Sequence, residues 1–481
     1  MTTHRATPAW LHLALWAALL AALSACAVGP AYERPAVVQP GAYKEAPAAD
    51  SIWLPAAPAD RLDRGPWWRM FGNPQLSALL EQVEVSNQNV AAAAANYAQA
   101  QALVREQRAA LFPSLALDAS STRNKRLSVA TLPTNQQLTL QAGWEPDLWG
   151  GLRAGVTSAE ADADARAALL AAARLSAQAA LATDYFALRE ADNRIALLDA
   201  AIGAYDRALR ITTNQYDAGI AQRTDVLQAQ TQAATTRAER IALAAQRALL
   251  EHAIALLVGK APAELSIAAA PWVATVPAVP LALPSELLQR RPDIAAAERA
   301  VAAANAQIGI ARTAYYPQLS LSAAYGSASS SVPALFNASN AVWSLGLSVA
   351  QTIFDAGATR ARVEQAQAAH DAAVADYRQT VLAAFQAVED QLATIRSLAE
   401  QEAQRRAAST AADRTEQLIQ NQYLQAQVPY TTVVIAQVSA LNAREALSQL
   451  MASRQAAAIA LIAALGGGWH APAAEATVPG R

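Results

Sequence analysis

Arg108-Ala-Ala-Leu-Phe-Pro-Ser-Leu-Ala-Leu117 returns as Arg312-Thr-Ala-Tyr-Tyr-Pro-Gln-Leu-Ser-Leu321, 204 residues further along the chain. In both copies a run of helix formers stops at a proline, which cannot continue a helix. An apolar/polar alternation of period two then begins, the pattern of a strand with two different faces. Two more strings recur at an offset of 207: Asn214-Gln-Tyr216 as Asn421-Gln-Tyr423, and Thr224-Asp-Val-Leu-Gln-Ala-Gln230 as Thr431-Thr-Val-Val-Ile-Ala-Gln437. The features keep their order, so the chain is a tandem duplication of about two hundred residues. The 481 residues would otherwise suggest about three unrelated domains. Each half predicts a helix ending at a proline (75–112, then 293–316), two strands, a very long helix, a short break and another helix.

Four segments alternate. Leu115, Leu117 and Ala119 oppose Ser114, Ala116 and Asp118; Leu138, Leu140, Ala142 and Trp144 oppose Thr139, Gln141 and Gly143. In the second half Leu319, Leu321, Ala323 and Tyr325 oppose Ser320 and Ser322, while Trp343, Leu345, Leu347 and Val349 oppose Ser344, Gly346 and Ser348. A soluble sandwich would want bulkier core residues and more strands. Segments of about ten residues, apolar outward and small-polar inward, suit a transmembrane barrel. Trp144, Trp149, Trp343 and Phe354 fall at strand ends, where interfacial aromatics belong. Four strands cannot close a barrel, and hydrocarbon does not tolerate an open edge. The barrel must therefore be shared between copies: two would give eight strands and a filled interior, three would give twelve and a lumen.

The helices are unusually long: neither 156–202 nor 358–428 contains Gly or Pro. Leu181, Tyr185, Leu188, Ile195, Leu198, Ile202, Tyr205 and Leu209 follow steps of three and four, with one position skipped at Asp192. Val374, Tyr377, Val381, Phe385, Val388, Leu392 and Ile395 do the same, which marks two coiled-coil seams. The stretch from Gly150 to Gly219 amounts to about 100 Å of helix. The return arm 220–258 and the helix 293–316 together come to about 95 Å. Between them, 259–292 carries six prolines and reads as an irregular, partly strand-like insert packed outside the helices. The second return arm is 430–465, and 75–112 supplies its missing upper piece. The expected fold class is membrane α+β: four strands given to an oligomeric barrel, continued by a long coiled-coil helical barrel. A helical bundle with no lumen would leave the alternating strands unexplained.

Composition limits the function. Lys+Arg 37 against Asp+Glu 39 gives a net charge of −2, which argues against nucleic acid as a partner. Aromatics make up only 6%, and one cysteine excludes an internal disulfide or a multi-Cys metal site. Of five histidines, His252, His370 and His470 lie beyond the amino-terminal run, far apart and without H-E-x-x-H spacing. No catalytic or metal constellation is expected, and no cofactor. Residues 1–25 read as a signal peptide: Arg5, an apolar run from Leu11 to Leu23, then small residues. Leu23-Ser-Ala-Cys26 resembles a lipobox, which makes Cys26 the expected site of acylation, with Ala27 directing the product to the outer membrane.

At this point the residues resemble a family, the TolC-type outer-membrane factors, in their NodT/OprM-like lipoprotein branch. The resemblance rests on Cys26-Ala-Val-Gly-Pro-Ala-Tyr-Glu-Arg-Pro35, Trp67-Trp-Arg-Met-Phe-Gly-Asn-Pro-Gln-Leu76 and Glu145-Pro-Asp-Leu-Trp-Gly150. Leu288-Gln-Arg-Arg-Pro-Asp-Ile294, Ala303-Ala-Asn-Ala-Gln-Ile308 and Leu465-Gly-Gly-Gly-Trp469 complete it, in order and nearly end to end. It divides the chain into a leader (1–25), an anchored extended segment (26–74), a first repeat (75–265), an equatorial segment (266–292), a second repeat (293–465) and a tail (466–481). It implies a homotrimer with a twelve-stranded barrel and a helical tunnel across the periplasm. The tunnel's tip opens when a periplasmic adaptor and a proton-driven inner-membrane pump dock. The protein would conduct small toxic compounds and do no chemistry. Two other readings are the exit port of a peptide or protein secretion system and a lipid-anchored scaffold with no pore.

The resemblance places the adaptor-docking tip at Gly219, Thr224, Asp225, Val226 and Leu227 in the first half, and at Ala426, Tyr430 and Thr431 in the second. Ala426 stands where glycine is usual, and Val428 where relatives can carry a gating aspartate. Asp217, Arg223, Asp413 and Arg414, with Asp225, remain as charged gate candidates.

Overall fold

The structure, a computed structural model, describes residues 28–37, 40–45, 66–123, 134–277, 279 and 291–467. Cys26 and its leader, residues 280–290 of the equatorial segment and the tail from residue 468 with Trp469 lie outside the described residues. Among the described residues, and apart from short 3₁₀ turns, seven α-helices and four strands follow one another: α1 (Pro74–Ser86), α2 (Gln88–Ala109), β1 (Ser114–Arg123), β2 (Thr134–Trp144), α3 (Gly151–Asp217), α4 (Arg223–Leu257), α5 (Pro292–Thr313), β3 (Gln318–Ser329), β4 (Ala341–Ala350), α6 (Ala358–Leu424) and α7 (Tyr430–Ala464). The duplication is visible in the lengths. α2 and α5 each have 22 residues, α3 and α6 each have 67, and α4 and α7 each have 35.

The chain forms two packing units, one of residues 1–37, 95–167 and 296–379, the other of the remainder. The first unit holds the sheet, in order β1-β2-β3-β4, with every neighbouring pair antiparallel. Each strand pair passes directly into a long helix through an aspartate. Asp147 accepts hydrogen bonds from the backbone N–H groups of Leu152 (3.1 Å) and Arg153 (2.9 Å); Asp355 accepts them from Gly357 (3.0 Å) and Thr359 (2.7 Å). Both satisfy amide groups that a first helical turn leaves open. The segment 28–36 lies along α5 and α6. The Asn305 amide donates to the Pro30 carbonyl (3.0 Å), the Tyr32 hydroxyl to Glu298 (2.6 Å) and Arg34 Nε to the Tyr377 hydroxyl (3.3 Å).

The second unit is helical and contains the main apolar core. Trp67, Trp68 and Phe71, in a 3₁₀ turn ahead of α1, pack with Leu76 and Leu80 of α1, Leu181, Tyr185 and Leu188 of α3, Ile254 of α4 and Ile462 of α7. By length and composition α7 is apolar enough to cross a membrane, but Ile459, Leu461 and Ile462 are buried among its neighbours. Both seams are borne out at their centres: Leu181, Tyr185, Leu188, Leu198 and Tyr205 are buried, as are Tyr377, Val381, Val388 and Leu392.

Two expectations need correction. The helix read as 75–112 is two helices that break at Asn87. Asn87 Oδ1 accepts from the N–H groups of Asn89 (3.0 Å) and Val90 (3.1 Å) and so caps α2, while its Nδ2 donates to the Leu257 carbonyl at the end of α4 (2.7 Å). An asparagine side chain that competes with the helical ladder ends one helix and starts the next. Secondly, the part of the equatorial insert within the described residues contains no strand. After a 3₁₀ turn at Pro262–Glu264 its backbone groups bond to helix side chains. Glu251 accepts from the Ile267 N–H (3.1 Å), Arg189 donates to the Ala268 carbonyl (2.9 Å), and the fully buried Gln455 donates to the carbonyls of Val273 (3.1 Å) and Thr275 (3.0 Å).

Candidate functional site

Two places carry the features expected of function: the sheet and the helical turns between α3 and α4 and between α6 and α7. In the sheet, the register joins the four alternations into two continuous faces. Leu117 pairs with Leu140, Leu140 with Tyr325, and Tyr325 with Trp343. One residue along, Ala116 pairs with Gln141, Gln141 with Ala324, and Ala324 with Ser344. Leu115, Leu117, Leu140, Tyr325, Trp343, Leu345, Leu347 and Val349 are all exposed, which makes the apolar face a broad uncovered surface. Soluble monomers rarely leave such a patch open. Lipid is the solvent that favours it, so the apolar face turns outward and the small-polar face turns to water. Among the described residues, the outermost strands β1 and β4 each have one unpaired edge. Near the strand ends, Trp149 stacks on Tyr316 (4.8 Å between ring centres) and donates to the Pro317 carbonyl (2.7 Å). The aromatic residue predicted for the interface is thus tied into the strand–helix junction.

The two helical turns share their central pair of hydrogen bonds. Gly219 N–H donates to the Tyr216 carbonyl (2.9 Å) and Ile220 N–H to that of Gln215 (2.8 Å); Ala426 N–H donates to Tyr423 (2.9 Å) and Gln427 N–H to Gln422 (2.9 Å). This is a left-handed helix stop, and it requires a positive φ at its centre. Gly219 takes φ 73° and Ala426 takes φ 55°. The alanine adopts the glycine conformation in spite of its Cβ.

Within the turns the predicted residues part company. Gln222 and Asp225 form a reciprocal capping box at the start of α4, and the Thr224 hydroxyl donates to Gln222 (3.3 Å). Tyr430 is buried, not presented at the surface. It packs on Ala229 and Val433, with the Tyr423 ring 5.7 Å away. Burial pushes its phenol up to about 12, with Tyr423, Tyr205 and Asp225 acting in the same direction. Leu227 and Thr431 line a shallow groove of about 450 Å³ between α4 and α7, with Gln228, Thr231, Val434 and Ile435. Val226 is half-buried beside it. Of the charged candidates, Asp413 is bridged by Arg444 (2.8 Å), which also holds Glu416 (2.8 Å). Asp217, Arg223 and Arg414 are exposed.

One cluster lies outside the residues singled out from the sequence. Arg189 and Asp192, with side chains 3% and 4% exposed, pair at 2.7 Å inside α3, and Arg247 of α4 reaches the second oxygen of Asp192 at 2.6 Å. Arg247 also pairs with Glu251 (2.6 Å), and Arg189 donates to Gln75 (2.6 Å) and to the Tyr185 hydroxyl (3.2 Å). The signal was the seam position skipped at Asp192, where a carboxylate replaces an apolar residue. Among the described residues no group of three or more His, Cys, Asp and Glu is placed to hold a metal.

A sheet with one face for lipid and one for water, open at both edges, defines a subunit of a shared membrane pore. The comparisons agree. The solvent efflux pump outer membrane protein SrpC of Pseudomonas putida is 32% identical over 462 residues, 93% of this chain and 96% of that protein. The pyoverdine export outer membrane protein OpmQ of Pseudomonas aeruginosa is 32% identical over 469 residues, 94% and 97% of the two chains. The solved structure of the outer-membrane channel OprN superposes with a TM-score of 0.82 at 29% identity, covering 92% of this chain and all of that one. The chain belongs to the outer membrane efflux protein family, whose model matches it twice, at residues 79–260 and 283–467. It is an outer-membrane channel protein extending into the periplasm. The double match also agrees with the duplication read from the repeated strings.

Proposed function

We propose that three copies of this chain join their sheets edge to edge into a twelve-stranded barrel, anchored by acyl chains on Cys26. The helices continue it as a water-filled conduit to a periplasmic adaptor and an inner-membrane, proton-driven pump. The conduit is passive: the pump supplies the energy and selects the cargo, and the chain itself carries out no reaction. One observation carries this reading, the two-faced four-stranded sheet with an unpaired edge on each side. Hydrocarbon leaves such edges no partner except another sheet, and three copies are the fewest that enclose a lumen. The groove lined by Leu227 and Thr431, residues that the family resemblance assigns to adaptor docking, supports a docking role for these turns. The relatives named for solvent efflux and pyoverdine export support small, chemically diverse cargo.

The test is reconstitution. Acylated protein purified in detergent should migrate as a trimer and insert into planar bilayers as discrete conductance steps. In cells, deletion of the gene should raise sensitivity to toxic organic compounds, and expression of the intact gene should restore tolerance. A folded monomer that gives no conductance would overturn the reading.

A further inference from the structure

The water-facing side of the sheet is nearly free of charge. Among the described strand residues it carries serines, threonines, glutamines, alanines, glycines, Asn135 and Val342, and one charged side chain, Asp118, at mid-strand in β1. The other ionisable side chain that could matter, Arg123, has the opposite parity and sits at the end of β1, about 17 Å along the strand. Asp118 is therefore the lone ionisable group on this face among the described strand residues. The surrounding row leaves it unopposed. Asp118 pairs with Thr139, Thr139 with Gly326, and Gly326 with Val342. Thr139 is buried, and its hydroxyl has no hydrogen-bond partner among the described residues. Position 326 cannot carry a side chain, because a Cβ there would lie 2.1 Å from the Leu138 carbonyl oxygen and 2.6 Å from the Thr139 Cα. Asp118 itself is exposed.

We infer that Asp118 sets the charge preference of the barrel, favouring cationic over anionic solutes at the last stage of export. The inference rests on the shared-barrel reading above. In a closed trimer the three copies of Asp118 stand at one depth and form a ring of carboxylates in a wall that has, among the described strand residues, no compensating cation at that level. A channel wall of one charge sign raises the local concentration of counter-ions and repels co-ions. The range of that effect is about 30 Å at 0.01 M salt and about 3 Å at 1 M. The ring therefore commands the lumen in dilute solution and fades in concentrated salt.

The experiment is the zero-current potential of the full-length trimer in a planar bilayer under a KCl gradient, with about 10 mM salt on the dilute side so that screening is weak. Wild type should prefer K⁺. Asp118→Asn keeps the size and hydrogen bonding of the side chain. It should lower the K⁺/Cl⁻ permeability ratio by about threefold or more at low salt and leave the conductance near 1 M unchanged. Asp118→Lys should move the potential further in the same direction. Equal zero-current potentials in wild type and Asp118→Asn, with conductance intact, would overturn the role of Asp118 and leave the pore standing. Absence of conductance in wild type would remove both.

Discussion

Ala426 and Gly219 occupy the same place in two copies of one turn, and only the glycine is free of steric cost there. A left-handed alanine is disfavoured by about 1–2 kcal/mol, because its Cβ crowds the following carbonyl. Ala426→Gly should therefore protect the amides of 421–427 against hydrogen exchange, in proportion to roughly 1 kcal/mol. Gly219→Ala should weaken its own turn by about as much. Exchange should accordingly be faster at the turn of Ala426 than at that of Gly219. Asp293 offers a second test at this scale. Burial pushes its carboxyl upward, but the hydrogen bond and charge of Arg291, 2.6 Å away, outweigh this and hold it below the ordinary carboxylate range. The same arginine donates to the Ala464 carbonyl at the end of α7 (3.1 Å). A depressed folded-state value means stability that is present above the unfolded value, about 3.9, and lost as pH falls through the folded one. Denaturation midpoints should drop less steeply below pH ~4 for Asp293→Asn than for wild type.

Among the elements, α3, α4 and the extended segment after Leu257 are joined by charge rather than by apolar packing alone. Asp192 accepts from two arginines of different helices, Arg189 and Arg247, and each arginine also holds a carbonyl of the insert, at Ala268 and Ile267. Removing the shared carboxylate leaves two guanidinium groups facing each other with little water. Asp192→Ala should destabilise the helical unit by about 3–5 kcal/mol, seen as a lower thermal midpoint of the helical signal. Replacing the nearby seam residue Leu198 by Met, a swap that conserves volume, should cost about 1.5 kcal/mol or less. The contrast separates an ion pair that fastens an insert from ordinary seam packing. It also explains the residue that the seam period skipped: the position is buried like its neighbours, but its partners come from distant parts of the chain. No local pattern contains Arg247 or the carbonyls of 267 and 268.

For the whole molecule the decisive property is which face of the sheet meets lipid. Leu345 and Ser344 are neighbours in the middle of β4 and belong to opposite faces. Leu345→Arg places a charge in hydrocarbon near the membrane midplane, at a cost of about 2–4 kcal/mol, whereas Ser344→Arg leaves it in water. The first should reduce the yield of heat-resistant oligomer on a semi-native gel, and the second should leave it near wild type. The sequence by itself determined the duplication, the four alternating strands, the proline stops, the long helices and the need for a shared barrel. Each of these is periodic or local, so the information lies within a few residues of where it acts. Tertiary structure decided how Asn87 is used: its Oδ1 caps the following helix, while its Nδ2 donates to a carbonyl 170 residues away on α4. It decided the burial of Tyr430, the ion network around Asp192 and the strandless course of the insert's described residues for the same reason. It also decided that Asp118 stands unopposed, since the row beside it is assembled from four strands drawn from both halves of the chain.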